Sequence, residues 1–392
     1  MSALKTGASM NEFVDCNVSP HVVIWENTRA CDVACVHCRA AVQPRRSQFE
    51  LTTEEGFALI DEVAALKPRL FVITGGDPLK REDTYEMIRY AKDRGIDPVL
   101  TPGATPLLTE GAVARMSGHG LSRLAVSLDG SRAETHDAFR RVEGSFDITV
   151  RAIQAARKEG IPVQVKTTVT RRTIDDLPNM VAMLTGLEID TWSVFFLVPT
   201  GRGKRGDLLS PEAVEHLFSF LYETSKRTPF AIRTTEAMHY RRYTLQRLAI
   251  ENGSRIEELR DSGTGLIDAS ALFDTHRPAL PLGVKTKRSG PPPREQRGVN
   301  EGKGFAFISH TGDVFPSAFL PLKAGNVKEQ SLSAIYQSSE LFLSLRDTDN
   351  LKGRCGRCEF RELCGGSRAR AWSMTGDLFE SDPLCGYQPR VA

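Results

Sequence analysis

The run His21-Val-Val-Ile-Trp25-Glu-Asn-Thr28-Arg-Ala-Cys31-Asp-Val-Ala-Cys35-Val-His-Cys38 decides how this chain is read. Its first part, His21 to Thr28, has the apolar, β-rich pattern of a buried strand. The cysteine loop therefore leaves the C-terminal end of a strand, where open α/β sheets and barrels place their chemistry. Three thiolates at this spacing can hold three corners of a four-iron cluster and leave the fourth iron open to a ligand. A fully ligated electron carrier has no such vacancy. Zinc sites usually pair two C-x2-C hooks, and no cysteine occurs between residues 39 and 354 to supply the second hook.

Outward from this loop, β-rich runs alternate with helical ones. Strands are expected at 21–28, 70–73, 97–101, 123–128, 162–169 and 191–198. Helical patterning covers Glu54 to Leu66, Asp83 to Arg94, Glu110 to Met116, Phe146 to Glu159 and Ile174 to Leu184. Such alternation predicts βα repeats on a parallel sheet. Thr52-Thr-Glu-Glu55 offers a capping box at the start of the first helix. Six units are too few for a closed eight-stranded barrel, so the fold class is α/β, an open partial (β/α)6 barrel. A further helix runs from Ser210-Pro211 to about Arg227. The expected organisation is a leader over 1–20, a core over 21–230, a connecting insert over 231–303 and a C-terminal domain over 304–392. The insert contains Gly290-Pro-Pro-Pro293, and a hairpin through Phe305-Ala-Phe-Ile308 and Val314-Phe315 opens the last domain.

With 392 residues and 40% hydrophobic content, the chain is long enough for two domains. No apolar stretch approaches membrane-spanning length and no signal peptide is visible. A net charge of +2 supplies no overall drive toward nucleic acid or a membrane surface, so the expected partner is small. Seven of the eight cysteines fall in two clusters, a pattern for metal ligation in a reducing cytoplasm. Cys16 stands apart as a bystander.

The C-x3-C-x2-C pattern resembles that of the radical S-adenosylmethionine (SAM) enzymes, whose open iron chelates the amino and carboxylate groups of SAM. Thr74-Gly75-Gly76-Asp77-Pro78 follows the second strand and is similar to the family's Gly-Gly-Glu-Pro motif, with Asp77 in place of the usual Glu. Two successive glycines there let backbone approach a ligand closely. By the same resemblance Ser127 and Asp129, at the end of the fourth strand, face the ribose or methionine part of SAM. Arg140 would pair with its carboxylate through a bidentate fork. Thr168 and Leu197, at the ends of the fifth and sixth strands, are further cofactor-binding candidates, as is Thr101-Pro-Gly103. No side chain is named as acid, base or radical relay.

Cys355, Cys358, Cys364 and Cys385 form the second set, and four cysteines satisfy a structural zinc as well as an iron-sulfur cluster. Cys364-Gly-Gly-Ser-Arg-Ala-Arg-Ala-Trp372, Thr375-Gly-Asp377 and Pro383-Leu-Cys385 resemble the SPASM or twitch-type domains of radical SAM proteins. That resemblance implies one auxiliary [4Fe-4S] cluster, since the hairpin carries no thiol for a second.

Finer similarity runs through Cys35-Val-His-Cys-Arg-Ala-Ala41, Glu134 to Arg140, Phe196-Leu-Val-Pro-Thr-Gly-Arg-Gly203, Phe305 to His310, Ala324-Gly-Asn-Val327 and Ser367-Arg-Ala-Arg370. These stretches resemble radical SAM enzymes that trim tetrapyrrole side chains in alternative heme and d-type heme synthesis. The implied substrate is an anionic tetrapyrrole, and the implied reductant is a ferredoxin or flavodoxin. Basic groups at Arg202-Gly-Lys204-Arg205, at His239-Tyr-Arg241-Arg242, and at Lys285, Lys287 and Arg288 offer partners for its carboxylates, against the plainer reading of solvated loop charges. His239 or His310 is a further option for the tetrapyrrole iron. Two other readings stand beside this one: a maturase of a ribosomally made peptide, and a non-catalytic electron-transfer protein.

Overall fold

In the computed structural model, which describes residues 15–40, 42–253 and 299–389, the strand run at residue 21 becomes β1 (Val22–Glu26) in the interior of a ten-stranded sheet. On one side of β1 lie, in order, β2 (Leu70–Thr74), β3 (Pro98–Leu100), β4 (Arg123–Ser127), β5 (Val163–Val169), β6 (Thr191–Phe196) and β7 (Ala231–Thr235). All pair in parallel, so their C-terminal ends share one rim. On the other side β8 (Phe305–Ile308) pairs in parallel with β1, Val22 opposite Phe305. Next to it, β9 (Asp313–Phe315) and β10 (Gly325–Asn326) add antiparallel pairs.

Helices α1 (Thr53–Leu66), α2 (Thr84–Asp93), α3 (Glu110–Gly118), α4 (Ala133–Arg140), α5 (Ser145–Lys158) and α6 (Leu177–Gly186) connect successive strands, as parallel pairing requires. The capping box at α1 is present: the Glu55 amide donates to Thr52 Oγ1, and the Thr52 amide donates to the Glu55 carboxylate. Leu59, Ile60 and Val63 turn the buried face of α1 to the sheet, each contributing about 1.5–3 kcal/mol of hydrophobic stabilisation. Gly56 lets that helix come close, because a Cβ there would lie 2.9 Å from the Trp25 ring.

Two expectations change. After β6 comes α7 (Pro211–Ser225), and the partial barrel then has a seventh parallel strand, β7, in the segment assigned to a connecting insert, followed by α8 (His239–Asn252). In β7 only Ile232 is fully buried, so the strand lacks the apolar run that announces β1 to β6. The hairpin assigned to a separate C-terminal domain is instead continuous with the core sheet through β8. From it the chain passes through helices Leu332–Ser338 and Glu340–Arg346 to the second cysteine set. Gly290 to Pro293, Lys285, Lys287 and Arg288 lie outside the described residues.

Candidate active site

The cysteine loop is fastened from three directions by backbone groups. The amides of Gly76 and Asp77 donate to the carbonyls of Thr28 and Ala30, each at 2.7 Å. The Gly-Gly pair is what permits this contact, since a Cβ on Gly76 would stand 2.5 Å from the Ala30 oxygen. From α4, the Phe139 carbonyl accepts from the Val36 amide at 3.1 Å. From the loop after β6, the Arg202 amide donates to the Cys38 carbonyl at 2.9 Å and its Nε to the Cys35 carbonyl at 2.8 Å. Gly201, at φ +59°, makes that approach possible. Its position would put a Cβ 2.4 Å from the Cys38 oxygen.

So held, Cys31, Cys35 and Cys38 line one cavity of about 230 Å³ at the rim of the strands. Gly75, Gly76, Thr101, Gly103, Ser127, Arg140, Thr168 and Leu197 also line it. The three thiols are free. Burial, together with the neighbouring thiols, pushes Cys31 up to about 12 and raises Cys38 as well. Buried thiols facing one another are poor isolated acids but good ligands, because metal binding takes up the thiolate charge. Buried nitrogens of His37 (Nδ1) and Arg140 (Nε) beside them have no hydrogen-bond partner. An iron-sulfur cluster with SAM on it matches this donor set and this cradle.

Two of the sequence candidates face elsewhere. Asp77 is buried and accepts from the Leu79 amide at 3.1 Å, the Gly103 amide at 3.2 Å and Thr105 Oγ1 at 2.6 Å, so its side chain knits the turn together. Asp129 is buried behind the cavity wall, where it accepts from the Thr168 amide at 2.6 Å and pairs with Arg140. Arg140 in turn reaches Cys35 Sγ at 3.4 Å. Burial raises both aspartates, and Asp129 is opposed by Arg140.

The basic groups also resolve differently. Arg202 serves the cysteine loop. Arg205 donates to the Ser373 carbonyl, Arg241 to that of Leu363, and Arg242 to Glu215. His239 is 1% exposed, packed between Phe218 and Asp382. His310 is buried against Glu26 at 3.3 Å. Burial alone would raise Glu26, but Arg39, His310 and Arg29 outweigh it and hold the carboxyl at about 2.

The charged groups that do line the cavity are Arg39, Arg140 and Lys166; among the described residues no aspartate or glutamate lines it. Lys166 was missed in the sequence. Yet β5 buries every second residue, so Thr168, already a candidate, shares its face with Lys166 two residues earlier.

The second cysteine set is half-buried, and its thiols lie close to one another. Cys355 interacts electrostatically with Cys358, Cys364 and Cys385. Burial raises Cys358 and Cys364, and lifts Cys385 to about 11. Around them, the Gly366 amide points at Cys364 Sγ (3.4 Å), Arg368 at Cys355 Sγ (3.8 Å), and Asn300 donates to the Cys364 carbonyl at 3.1 Å. Behind lies a buried polar network. Arg370 grips Asp382 with two hydrogen bonds (2.9 and 2.8 Å) and donates to the Glu236 carbonyl at 2.7 Å, while Ser367 bridges the carboxyls of Glu236 and Glu301. The same part of the chain sends Phe319 into the wall of the cavity.

Residues 25–184 match the model of the Radical SAM superfamily, and residues 300–359 match that of SPASM, an iron-sulfur cluster-binding domain. The chain is 37% identical to AdoMet-dependent heme synthase of Methanosarcina barkeri, over 95% of this chain and 97% of that protein. It is 34% identical to the protein of the same name from Nitratidesulfovibrio vulgaris, over 100% and 98%. A peptide-modifying protein, PqqA peptide cyclase of Bradyrhizobium diazoefficiens, is 25% identical over 94% and 87%. Among solved structures, Streptococcus suis SuiB bound to S-adenosylmethionine superimposes with a TM-score of 0.67 over 94% of this chain and 78% of that one, at 14% identity, a likeness of fold.

Proposed function

Because the chain belongs to the radical SAM family, in the group of the AdoMet-dependent heme synthases, we propose that it removes propionate carboxyl groups from an iron coproporphyrin to give heme. When bound and reduced, the cluster supplies the electron that splits SAM into methionine and a 5′-deoxyadenosyl radical, the hydrogen abstractor. Each propionate so converted would lose a hydrogen atom from its chain and then its carboxyl as CO2, leaving a vinyl group and one electron for an acceptor, while the remaining propionates of heme stay intact.

In this reading Cys31, Cys35 and Cys38 hold the SAM-binding [4Fe-4S] cluster. Gly75 and Gly76 offer close backbone, while Ser127 and Arg140 offer polar contacts to SAM. Cys355, Cys358, Cys364 and Cys385 hold one auxiliary [4Fe-4S] cluster. Asp77 and Asp129 act one step back, the first by shaping the turn and the second by aiming Arg140. The units are a core over 21–252, which includes β7 and α8, and a C-terminal cluster domain joined to it through β8. A low-potential donor such as a ferredoxin or flavodoxin, in a reducing cytoplasm, completes the system. Among the described residues no helix is long and apolar enough to cross a membrane.

The observation that carries this reading is the single cavity shared by three thiols, a double-glycine turn and cationic side chains without a lining carboxylate. Such a cavity suits an anionic ligand more than a peptide backbone. Anaerobic reconstitution should load about eight irons per chain. Reduction with SAM and iron coproporphyrin III should then yield 5′-deoxyadenosine, heme and CO2. SAM cleavage without porphyrin conversion would turn the reading toward a peptide substrate; no cleavage at full iron load would remove the enzyme reading altogether.

A further inference from the structure

Three cations face the cavity, and two of them already have a carboxylate. Arg39 pairs with Glu26 at 2.9 Å and stacks on Phe307, and Arg140 pairs with Asp129. Lys166 differs. Its Nζ donates to Thr101 Oγ1 at 2.8 Å, and among the described residues no carboxylate forms an ion pair with it. It stands on β5 opposite Ser127 of β4, one layer below Thr168, in the lower wall of the cavity. Gln164, two residues earlier on the same face, is already engaged, donating to Ser193 Oγ at 2.8 Å.

A recessed ammonium facing only a hydroxyl lacks the counter-charge that burial demands. Burial, with the like charge of Arg140, draws this amine down to about 7. An arriving carboxylate would restore the charged form and gain a charge-assisted hydrogen bond. The threonine hydroxyl fixes where the amine points, so the site is formed before its ligand arrives.

We propose that Lys166, held by Thr101, is a carboxylate anchor in the floor of this cavity. The carboxylate comes from one of two sources: the methionine part of SAM, or a propionate of the porphyrin. The second source rests on the function proposed above.

The test is equilibrium binding to the anaerobically reconstituted, unreduced protein, so that nothing turns over. Labelled SAM is followed by dialysis and iron coproporphyrin III by its Soret band, for the wild type, Lys166→Met, Lys166→Arg and Thr101→Val. Lys166→Met should weaken one ligand by about ten- to a hundred-fold and leave the other within about twofold. Lys166→Arg should recover most of the loss, and Thr101→Val should weaken the same ligand by a smaller factor. Loss confined to SAM assigns the anchor to SAM; loss confined to the porphyrin assigns it to a propionate. Lys166→Met binding both ligands like the wild type would overturn the proposal. If that variant fails to hold iron, Thr101→Val decides: an unchanged affinity for both ligands overturns the anchor. A wild type that binds SAM but no porphyrin counts against the heme-synthase reading alone, and the anchor is then judged on SAM.

Discussion

The two cysteine sets are built on opposite principles. Cys31, Cys35 and Cys38 sit in one short loop held by main-chain hydrogen bonds from the turn after β2, from α4 and from the loop after β6. They open onto a cavity. Cys355, Cys358, Cys364 and Cys385 are spread along the chain and half-buried, and polar side chains reach them: Arg368 points at Cys355 Sγ and Asn300 donates to the Cys364 carbonyl, with the buried Arg370–Asp382 pair, Glu236 and Glu301 behind. Main-chain bonds hold the first set and leave its thiols free to face the cavity, whereas charged and polar side chains brace the second.

The most drastic way to break the comparison is to remove a thiol from one set alone. Cys35→Ala should abolish 5′-deoxyadenosine formation while about four irons per chain remain; retention of SAM cleavage would sink the assignment of the N-terminal set. Cys364→Ala should also lower iron by about half, but with SAM cleavage still measurable and porphyrin conversion reduced at least tenfold.

Next in size is the buried pair behind the second set. Arg370→Met leaves Asp382 charged and unpaired, and burial alone would push that carboxyl upward. A stability loss of about 3–5 kcal/mol is expected by anaerobic denaturant titration. An unchanged midpoint would mean the network is not what holds this region.

Gly201→Ala probes the main-chain clasp of the first set. At φ +59° with the Cys38 oxygen 2.4 Å from the new Cβ, the loop must shift. The cost should be about 1–3 kcal/mol, and SAM-dependent changes in the reduced cluster's EPR signal should weaken while auxiliary iron is retained.

The smallest effect is a pH dependence. Burial, then the neighbouring Glu301, raises Glu236 well above 4.5, so the folded chain holds a proton that the unfolded chain releases. Stability from this group is therefore full at the acid end and declines as pH rises from 4.5 through the folded value. Above pH 4.5 the wild type should lose stability relative to Glu236→Gln as pH rises, with a slope no steeper than about 1.4 kcal/mol per pH unit. Parallel melting curves for the two proteins would contradict this.

Much of this was legible in the residues. Strands β1 to β6 announce themselves by apolar runs, and the cysteine loop by its position after the first of them. β7 did not, because Ala231–Thr235 earns its place by pairing with β6 and not by its own burial. Asp77 and Asp129 lie near the expected strand ends, but the partners that turn them away from the cavity come from elsewhere, Thr105 from the loop after β3 and Arg140 from the end of α4. Lys166 was overlooked because a lysine in a strand suggests a solvent face, and only the alternation with Thr168 says otherwise.

The pairing of β1 with β8 joins residues far apart in the sequence, Val22 with Phe305 and Trp25 with Ile308. During synthesis β1 therefore waits, with one edge bare, until residues 305–308 have emerged, a period in which an unpaired edge invites association with other chains. The segment that carries the second cysteine set also seals the strand from which the first set hangs.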